Sequence, residues 1–493
     1  MMINAASAEA LTAALLAAKG GEIIDCGGAP LGALSISRRK FPEPVTIRNF
    51  ACGSGYIGQC ENLILEDFIM DFVPTAETTI NTPALKITNS TGIKLRKSRL
   101  VGRPSEFGLP PETPVGTNNP GGNILGLPSG KGIDISFSSF IDVEENDISN
   151  FYKGVTFTGT DDLNIVDNEI HHLRSSPLTG GAINRAAFRG NHAHTSTPYA
   201  FGGAGDHGDY LHIFQRNVGK TMFDIVIADN FFSQGDSTTS LLGIYLDDNG
   251  FSDPVAHPEL YGPDGQPLNG VGFGFERVLI DNNTLFMGHG SGLLIDATTG
   301  RVSRNSLIWS RRGRRLLDER DAPRIHATTR AGGVLVVTQN VSSALALKYP
   351  ETIQVADNYD ARAEGYPELY VDALAYNPTL ADLQPLPGGA LDRLGIGARS
   401  TLLTEPTPAP APEPVPEPAG GVEPAQDAPT ESVPAPEPSP LPNPAPAPLP
   451  TETQETALRL AEAIRADFNI AENACIRGLK KMDKLVALIR APS

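Results

Sequence analysis

NIVDNEI at 164–170, IVIADNFF at 225–232, VLIDNN at 278–283, VSRNSLI at 302–308 and IQVADN at 353–358 are one phrase written five times. Each is a β-rich run closed by Asp-Asn or Arg-Asn, after which an apolar residue tends to return. Asn146, Asn168 and Asn191 are 22 and 23 residues apart, and Asn282 and Asn305 are again 23 apart. A fixed period in the low twenties, carried by strand-like pieces, is the signature of a solenoid whose neighbouring coils bury a shared core. One Asn per coil in register predicts a polar ladder at a turn. Asn tolerates left-handed backbone there, and its amide can bond the next Asn.

A second phrase alternates with the first: ALKIT (84–88), GIDIS (132–136), GVTFT (154–158), GAINR (181–185), GDYLH (208–212), GIYLD (243–247) and GLLID (292–296). Strand side chains alternate faces. The second and fourth positions are mostly apolar and face the core, so the third and fifth face out. In this alignment the fifth positions run Thr88, Ser136, Thr158, Arg185, His212, Asp247, Asp296. Parallel strands sit about 4.8 Å apart, which predicts Asp247 and Asp296 as carboxylates roughly 5 Å apart, near the spacing of a retaining glycosidase pair. Like charges this close raise one pKa and leave an acid beside a base. His212 is then a general base or a hydrogen bond to sugar, and Arg185 a bidentate fork for a uronate. Tyr210 and Tyr245, at third positions, would donate protons or stack on sugar rings. Asp209 falls where the pattern demands an apolar residue, which marks either a corner or a residue held for function. The competing reading is a solvated wall, or a carbohydrate groove without catalysis.

Composition agrees with turn-rich β-structure: 493 residues include 50 Gly and 42 Pro. The formal net charge is −18, yet residues 400–458 hold nine acids and no Lys or Arg. About half the charge is left for the remainder, spread thinly, and no basic face points to nucleic acid. Four cysteines without zinc spacing read as reduced thiols. No apolar run is long enough to span a membrane. The first residues lack a basic region followed by an apolar stretch and a cleavage site, so no signal peptide is expected.

The expected architecture is all-β, a parallel solenoid with four parts. Residues 1–20 hold a capping helix, with Ser7 as N-cap and Leu11, Leu15 and Leu16 on one side. Residues 21–400 hold the coils, with excursions near 101–130, 249–272 and 310–330. Residues 401–453 form a Pro/Ala/Glu-rich polyproline spacer. Residues 454–493 return to helix: Ala461, Ile464, Phe468, Ala471, Cys475, Leu479, Met482, Val486 and Ile489 follow steps of three and four. That stripe fits self-association, a trimer included, or docking through 454–490 on a larger particle. The WSRRGRRLLDER run at 309–320 reads mainly as a solvated loop.

Coil length, the Asn ladder and the N-terminal cap resemble right-handed parallel β-helix proteins of the pectate-lyase-like superfamily. The resemblance implies polysaccharide lyases, glycoside hydrolases, alginate epimerases or phage tailspikes as functional kin. Asp206-His207-Gly208-Asp209 is similar to the Asp-Pro-His-Asp signature of mannuronan epimerases. Asp247-Asp248 with Gly288-His289-Gly290 resembles motifs of polygalacturonase-type glycosidases. The resulting candidate set is catalytic Asp247, Asp296, His212 and Asp209, with Arg185, Tyr210, Tyr245, Asp206, His207, Asp248 and His289 contacting substrate. No cofactor is expected apart from Ca²⁺, for which Asp206, Asp209, Asp247, Asp248 and Asn249 supply oxygen ligands. The reading favoured is a virion-associated, tailspike-like protein that recognises and cleaves a surface polysaccharide, cytoplasmic before assembly and virion-borne or extracellular after it. A free-standing lyase, hydrolase or uronan epimerase is the alternative, and a non-catalytic adhesin the third.

Overall fold

The computed structural model describes residues 1–400 apart from 76–77, 104–127, 199–205, 207, 216–219, 238–239, 264–266, 269–270, 311–321, 330–332, 349 and 362–365. The chain divides into two compact units, Met1–Ala409 and Pro410–Ser493. The expected spacer and terminal helix lie outside the described residues, as does nearly all of the Arg-rich run.

The first unit is a right-handed parallel β-helix. One wall is an 11-stranded parallel sheet. Its strands are β1 (Ala33–Ser37), β2 (Ser54–Gly58), β3 (Pro83–Thr88), β4 (Lys131–Ser136), β5 (Lys153–Thr158), β6 (Leu178–Gly181), β7 (Asp209–Phe214), β8 (Leu242–Asp247), β9 (Ser291–Ile295), β10 (Arg324–Thr328) and β11 (Leu345–Lys348). The other two walls belong to a 23-stranded sheet. A complete coil reads Lys131–Ser136, Ser139–Glu144, Asp147–Ser149 before the chain begins the next. Inward residues stack by type from coil to coil. Ile133, Val155 and Leu178 form one such row, followed by Leu211, Ile244 and Leu293, and all are at most 1% exposed.

Polar ladders hold the corners. The amide of Asn146 donates to Oδ1 of Asn168 at 3.0 Å, and the chain of contacts continues through Asn191, Asn230, Asn283, Asn305, Asn340 and Asn358 at 2.8–3.0 Å. Each accepting oxygen also takes a backbone N–H from the coil before it, for example Asn283 N to Asn305 Oδ1 at 3.0 Å. Two details correct the sequence reading. The ladder passes through Asn283 rather than Asn282. The left-handed residue is the one preceding each ladder Asn: Glu145, Asp167, Gly190, Asp229, Asn282, Arg304, Gln339 and Asp357 all have φ between 53° and 62°. The turn needs the left-handed residue outside, so that the next amide points into the stack.

Helix α1 (Ala8–Ala17) is capped by Ser7, whose Oγ accepts the Ala10 amide at 3.1 Å. Leu11, Ala14 and Leu15 join the core, whereas Leu16 is exposed. After the last coil, residues 366–400 run back along the third wall. Tyr370, Leu383, Leu391 and Ile396 pack against Phe286 and Ile308, and the Arg399 amide donates to Asn282 Oδ1 at 2.7 Å. Cys26, Cys52 and Cys60 are unpaired and buried, and burial pushes the Cys26 and Cys52 thiols up to about 11 and about 12. No helix among the described residues is long and apolar enough to cross a membrane.

Candidate active site on the first wall

The pairing of β6 to β11 decides which side chains share the outer surface. The central outward column is Thr179, His212, Tyr245, Leu294 and His326. In the column beside it, Phe214 pairs with Asp247. One residue beyond the Leu246–Ile295 pair, Asp247 meets Asp296, whose amide donates to Leu246 O at 3.0 Å. Further along that column Thr328 pairs with Lys348.

At the start of β7 the alternation breaks. Tyr210 and Leu211 are both in the core, at 1% and 0% exposure, and Tyr210 stacks on Phe232 at 5.4 Å. The break turns Asp209 toward the outward His212, with its carboxylate 3.3 Å from Nδ1. On the other side of the ring, Nε2 faces Asp247 Oδ2 at 3.6 Å. His212 also lies parallel to Tyr245, 4.7 Å away and tilted by 3°. Burial alone would draw the imidazole down, but Asp209 and Asp247 outweigh it and hold His212 at about 9. Nε2 is shielded from solvent, and at 3.6 Å it is beyond hydrogen-bond length of Asp247.

Oxygens of Asp247, Asp248 and Asp296 lie within 4.8 Å of one another. Their environments differ. Burial and the charges of Asp248 and Asp247 push Asp296 up to about 7, with Lys348 opposing. Burial also acts against Asp247, yet the His212 charge beside it and the bond from the Asn249 amide prevail and hold it below the usual carboxylate range. Asp248 is 1% exposed and accepts the amides of Gly250 and Ser252 at 2.9 and 2.8 Å, so it builds the turn after β8. Burial, with Asp247 and Asp296 nearby, pushes the Tyr245 hydroxyl well above its ordinary range, so it stays protonated.

Three expected substrate contacts are elsewhere. Arg185 is on the second wall, in left-handed backbone, with Nε and Nη2 on Asp162 at 2.6 and 2.8 Å. Tyr210 is a core residue. Asp206 is locked to Arg174 by bonds of 2.7 and 3.1 Å, with both side chains at most 3% exposed. Its carboxylate is thus withdrawn from the expected calcium set as well. Nδ1 of His289 accepts the Ser291 amide at 3.1 Å, which commits it to the turn into β9. His207 lies outside the described residues.

The misplacement of Arg185 has a physical cause. Gly181 looks like the small residue that begins a strand, but it ends β6. A Cβ there would meet Phe214 O at 1.8 Å, so glycine is required by the closeness of the next coil. Likewise Gly208 does not align with Gly243: Asp209 pairs with Leu242 and Leu211 with Ile244. That slip of two preserves the face but moves His212 one step sideways, from the position of Asp247 to that of Tyr245. His326 was missed altogether, although RIHAT at 324–328 has the strand pattern. Burial lowers its pKa, so it presents a neutral imidazole on the wall.

No protein-family model matches the chain, and no curated protein does. Solved structures with similar backbones include the surface adhesin PfbA of Streptococcus pneumoniae, 10% identical, at a TM-score of 0.33 over 68% of this chain and 76% of that one. Pectate lyase Pel9A is 10% identical, at 0.35 over 79% and 90%. A Family 28 exopolygalacturonase of Yersinia enterocolitica is 9% identical, at 0.37 over 74% and 79%. The likeness is one of parallel β-helix fold.

Proposed function

We propose that the first wall binds a polysaccharide and hydrolyses it, with Asp296 as the acid and Asp247 as the ionised carboxylate. One observation carries this reading: two carboxylates on adjacent strands, facing out, have acidities driven in opposite directions. Such a divergence is how one site supplies a proton and a base at the same pH. Asp296, protonated below about 7, gives its proton to the glycosidic oxygen as the bond to the leaving sugar breaks. Asp247 either attacks the anomeric carbon or draws a proton from water. Its oxygens lie within 4.8 Å of Asp296, closer to the roughly 5–5.5 Å of retaining enzymes than to the wider spacing of inverting ones.

In this scheme the positive charge of His212 keeps Asp247 ionised. Asp209 positions the ring. Tyr245, stacked on His212, extends a flat aromatic surface along the wall of the kind sugar rings pack against.

The experiment is incubation of the purified protein with a panel of capsular and exopolysaccharides, following new reducing ends and the ultraviolet absorbance of unsaturated uronates. Reducing ends without that absorbance support hydrolysis. Ends with it make the protein a lyase, in which the ionised Asp247 abstracts a proton instead. Retention of a glycan with no cleavage makes the wall an adhesive surface.

For its setting we propose attachment to a virion or similar particle, extracellular after cytoplasmic assembly. This rests on the sequence at 401–490, where a Pro/Ala/Glu-rich run leads to apolar residues at steps of three and four. The solution mass of the full chain tests it: a trimer supports the tailspike-like form, and a monomer favours a free enzyme.

A further inference from the structure

Four of the nine histidines in the chain, His171, His172, His192 and His194, gather on the third wall, on strands unconnected with the carboxylate site. His192 and His194 flank Ala193 in one short strand, so their side chains project from the same face. That strand pairs with the previous coil in register: Glu169 beside His192, Ile170 beside Ala193, His171 beside His194. The two inward residues, Ile170 and Ala193, are fully buried, which fixes the backbone below the patch. The outward residues form a two-by-two block of one carboxylate and three imidazoles.

We infer that Glu169, His192 and His194 form a binding site for a divalent transition-metal ion of the zinc type, bridging two consecutive coils. One potential ligand atom from each of the three lies within 4.8 Å of the others. Two imidazoles and a carboxylate are the donors that such ions take, with a fourth position left to water. The second shell is in place. His194 Nδ1 is bonded to the Thr195 hydroxyl at 2.8 Å, which leaves Nε2 turned toward Glu169 Oε1 at 3.3 Å. Bonding of the far ring nitrogen is how proteins orient a ligating histidine. His192 is held from its other side by Phe231, whose ring stacks on it at 4.7 Å. A zinc ion needs bonds of about 2 Å, and the adjustment falls to Glu169, whose side chain is 55% exposed.

The surrounding groups hold the neighbouring imidazoles in place. His171 Nε2 is 3.0 Å from Asp147 Oδ1 on the coil before, and its ring stacks on His194 at 5.0 Å. The histidines therefore sit in a ladder of rings with acids along one edge. An ion at Glu169, His192 and His194 would tie coil to coil where the third wall has strands of only three residues.

The test uses the full chain, freed of metal by a chelator, titrated with Zn²⁺ against a chromophoric competitor and then with Co²⁺. The expected result is one saturable Zn²⁺ per chain, weakened tenfold or more in Glu169→Gln and lost in His194→Ala. Co²⁺ should give the visible bands of a nitrogen–oxygen tetrahedral site without thiolate charge transfer. Glu169→Gln keeps the shape of an exposed side chain, so a change there does not reflect misfolding. The inference is overturned if wild-type protein shows no saturable site. It is equally overturned if binding survives both variants and disappears in Asp296→Asn, which would place the ion on the carboxylates of the first wall.

Discussion

Asp247, the last residue of β8, and Asp296, the residue after β9, stand side by side with carboxylate oxygens within 4.8 Å, and one is held ionised while the other is held protonated up to about pH 7. The asymmetry is structural. Asp247 has His212 and the Asn249 amide as partners. Asp296 is buried beside two other acids.

Cleavage should therefore lose rate as pH rises through about 7, where Asp296 gives up its proton. It should stay active at acid pH until Asp247 takes one up, below the ordinary carboxylate range. A pH–rate profile of kcat/KM on the cleaved polysaccharide checks this. Asp296→Asn should remove the alkaline limb with the activity itself, by a factor of about 100 or more.

Stability should show its own pH window. His212 titrates near 9 when folded and about 6.5 when unfolded. Its stabilising contribution is complete below the unfolded value and is lost as pH rises through 9. Asp296, raised from about 3.9 to about 7, has the same sign, because its ionised form is the costly one. Asp296 therefore lowers the thermal midpoint between about pH 4 and 7, and His212 between about pH 6.5 and 9. In Asp209→Asn the His212 imidazole should titrate at lower pH by NMR, and part of that slope should vanish.

The Asn ladder should be worth more than the half-buried residue beside it. Asn305 donates to Ile280 O, Ser303 O and Asn340 Oδ1 and accepts from Asn283, all within the buried stack. Asn305→Ala strands several of those groups and should destabilise by about 2–4 kcal/mol. Asn282→Gly keeps the left-handed backbone but gives up half-buried bonds to Asp229 and Arg399, and should cost about 1–2 kcal/mol, less than Asn305→Ala. Thermal unfolding of the two variants gives the comparison.

Tyr210 and Tyr245 should separate stability from binding. Tyr210→Ala removes a fully buried ring from the core and should destabilise by about 3–5 kcal/mol. Tyr245→Ala should leave the melting temperature nearly unchanged and weaken glycan retention on an affinity gel.

Much of this was legible in the sequence. Coil spacing, the recurring Asn and the Ser7 cap are local signals, fixed by periodicity and by the chemistry of a turn. Asp247 and Asp296 were placed on one wall because both follow a Gly and three strand residues, and no corner intervenes. What failed was register across β6 and β7. There the glycines answer to the backbone of an adjacent coil rather than to a turn, and adjacent core residues Tyr210 and Leu211 suspend the two-residue alternation. The Asp209–His212 contact depends on that suspension. The partner that withdraws Asp206 is Arg174, 32 residues earlier, at a distance no local pattern encodes.

The most direct test of the account compares wild type, Asp247→Asn and Asp296→Asn on a polysaccharide the protein retains, reading new reducing ends at pH 5.5–6. The expected result is cleavage by wild type alone, with both variants folded and still retaining the glycan. Cleavage at the wild-type rate by Asp296→Asn would contradict the assignment of the acid, and with it the catalytic reading of this wall.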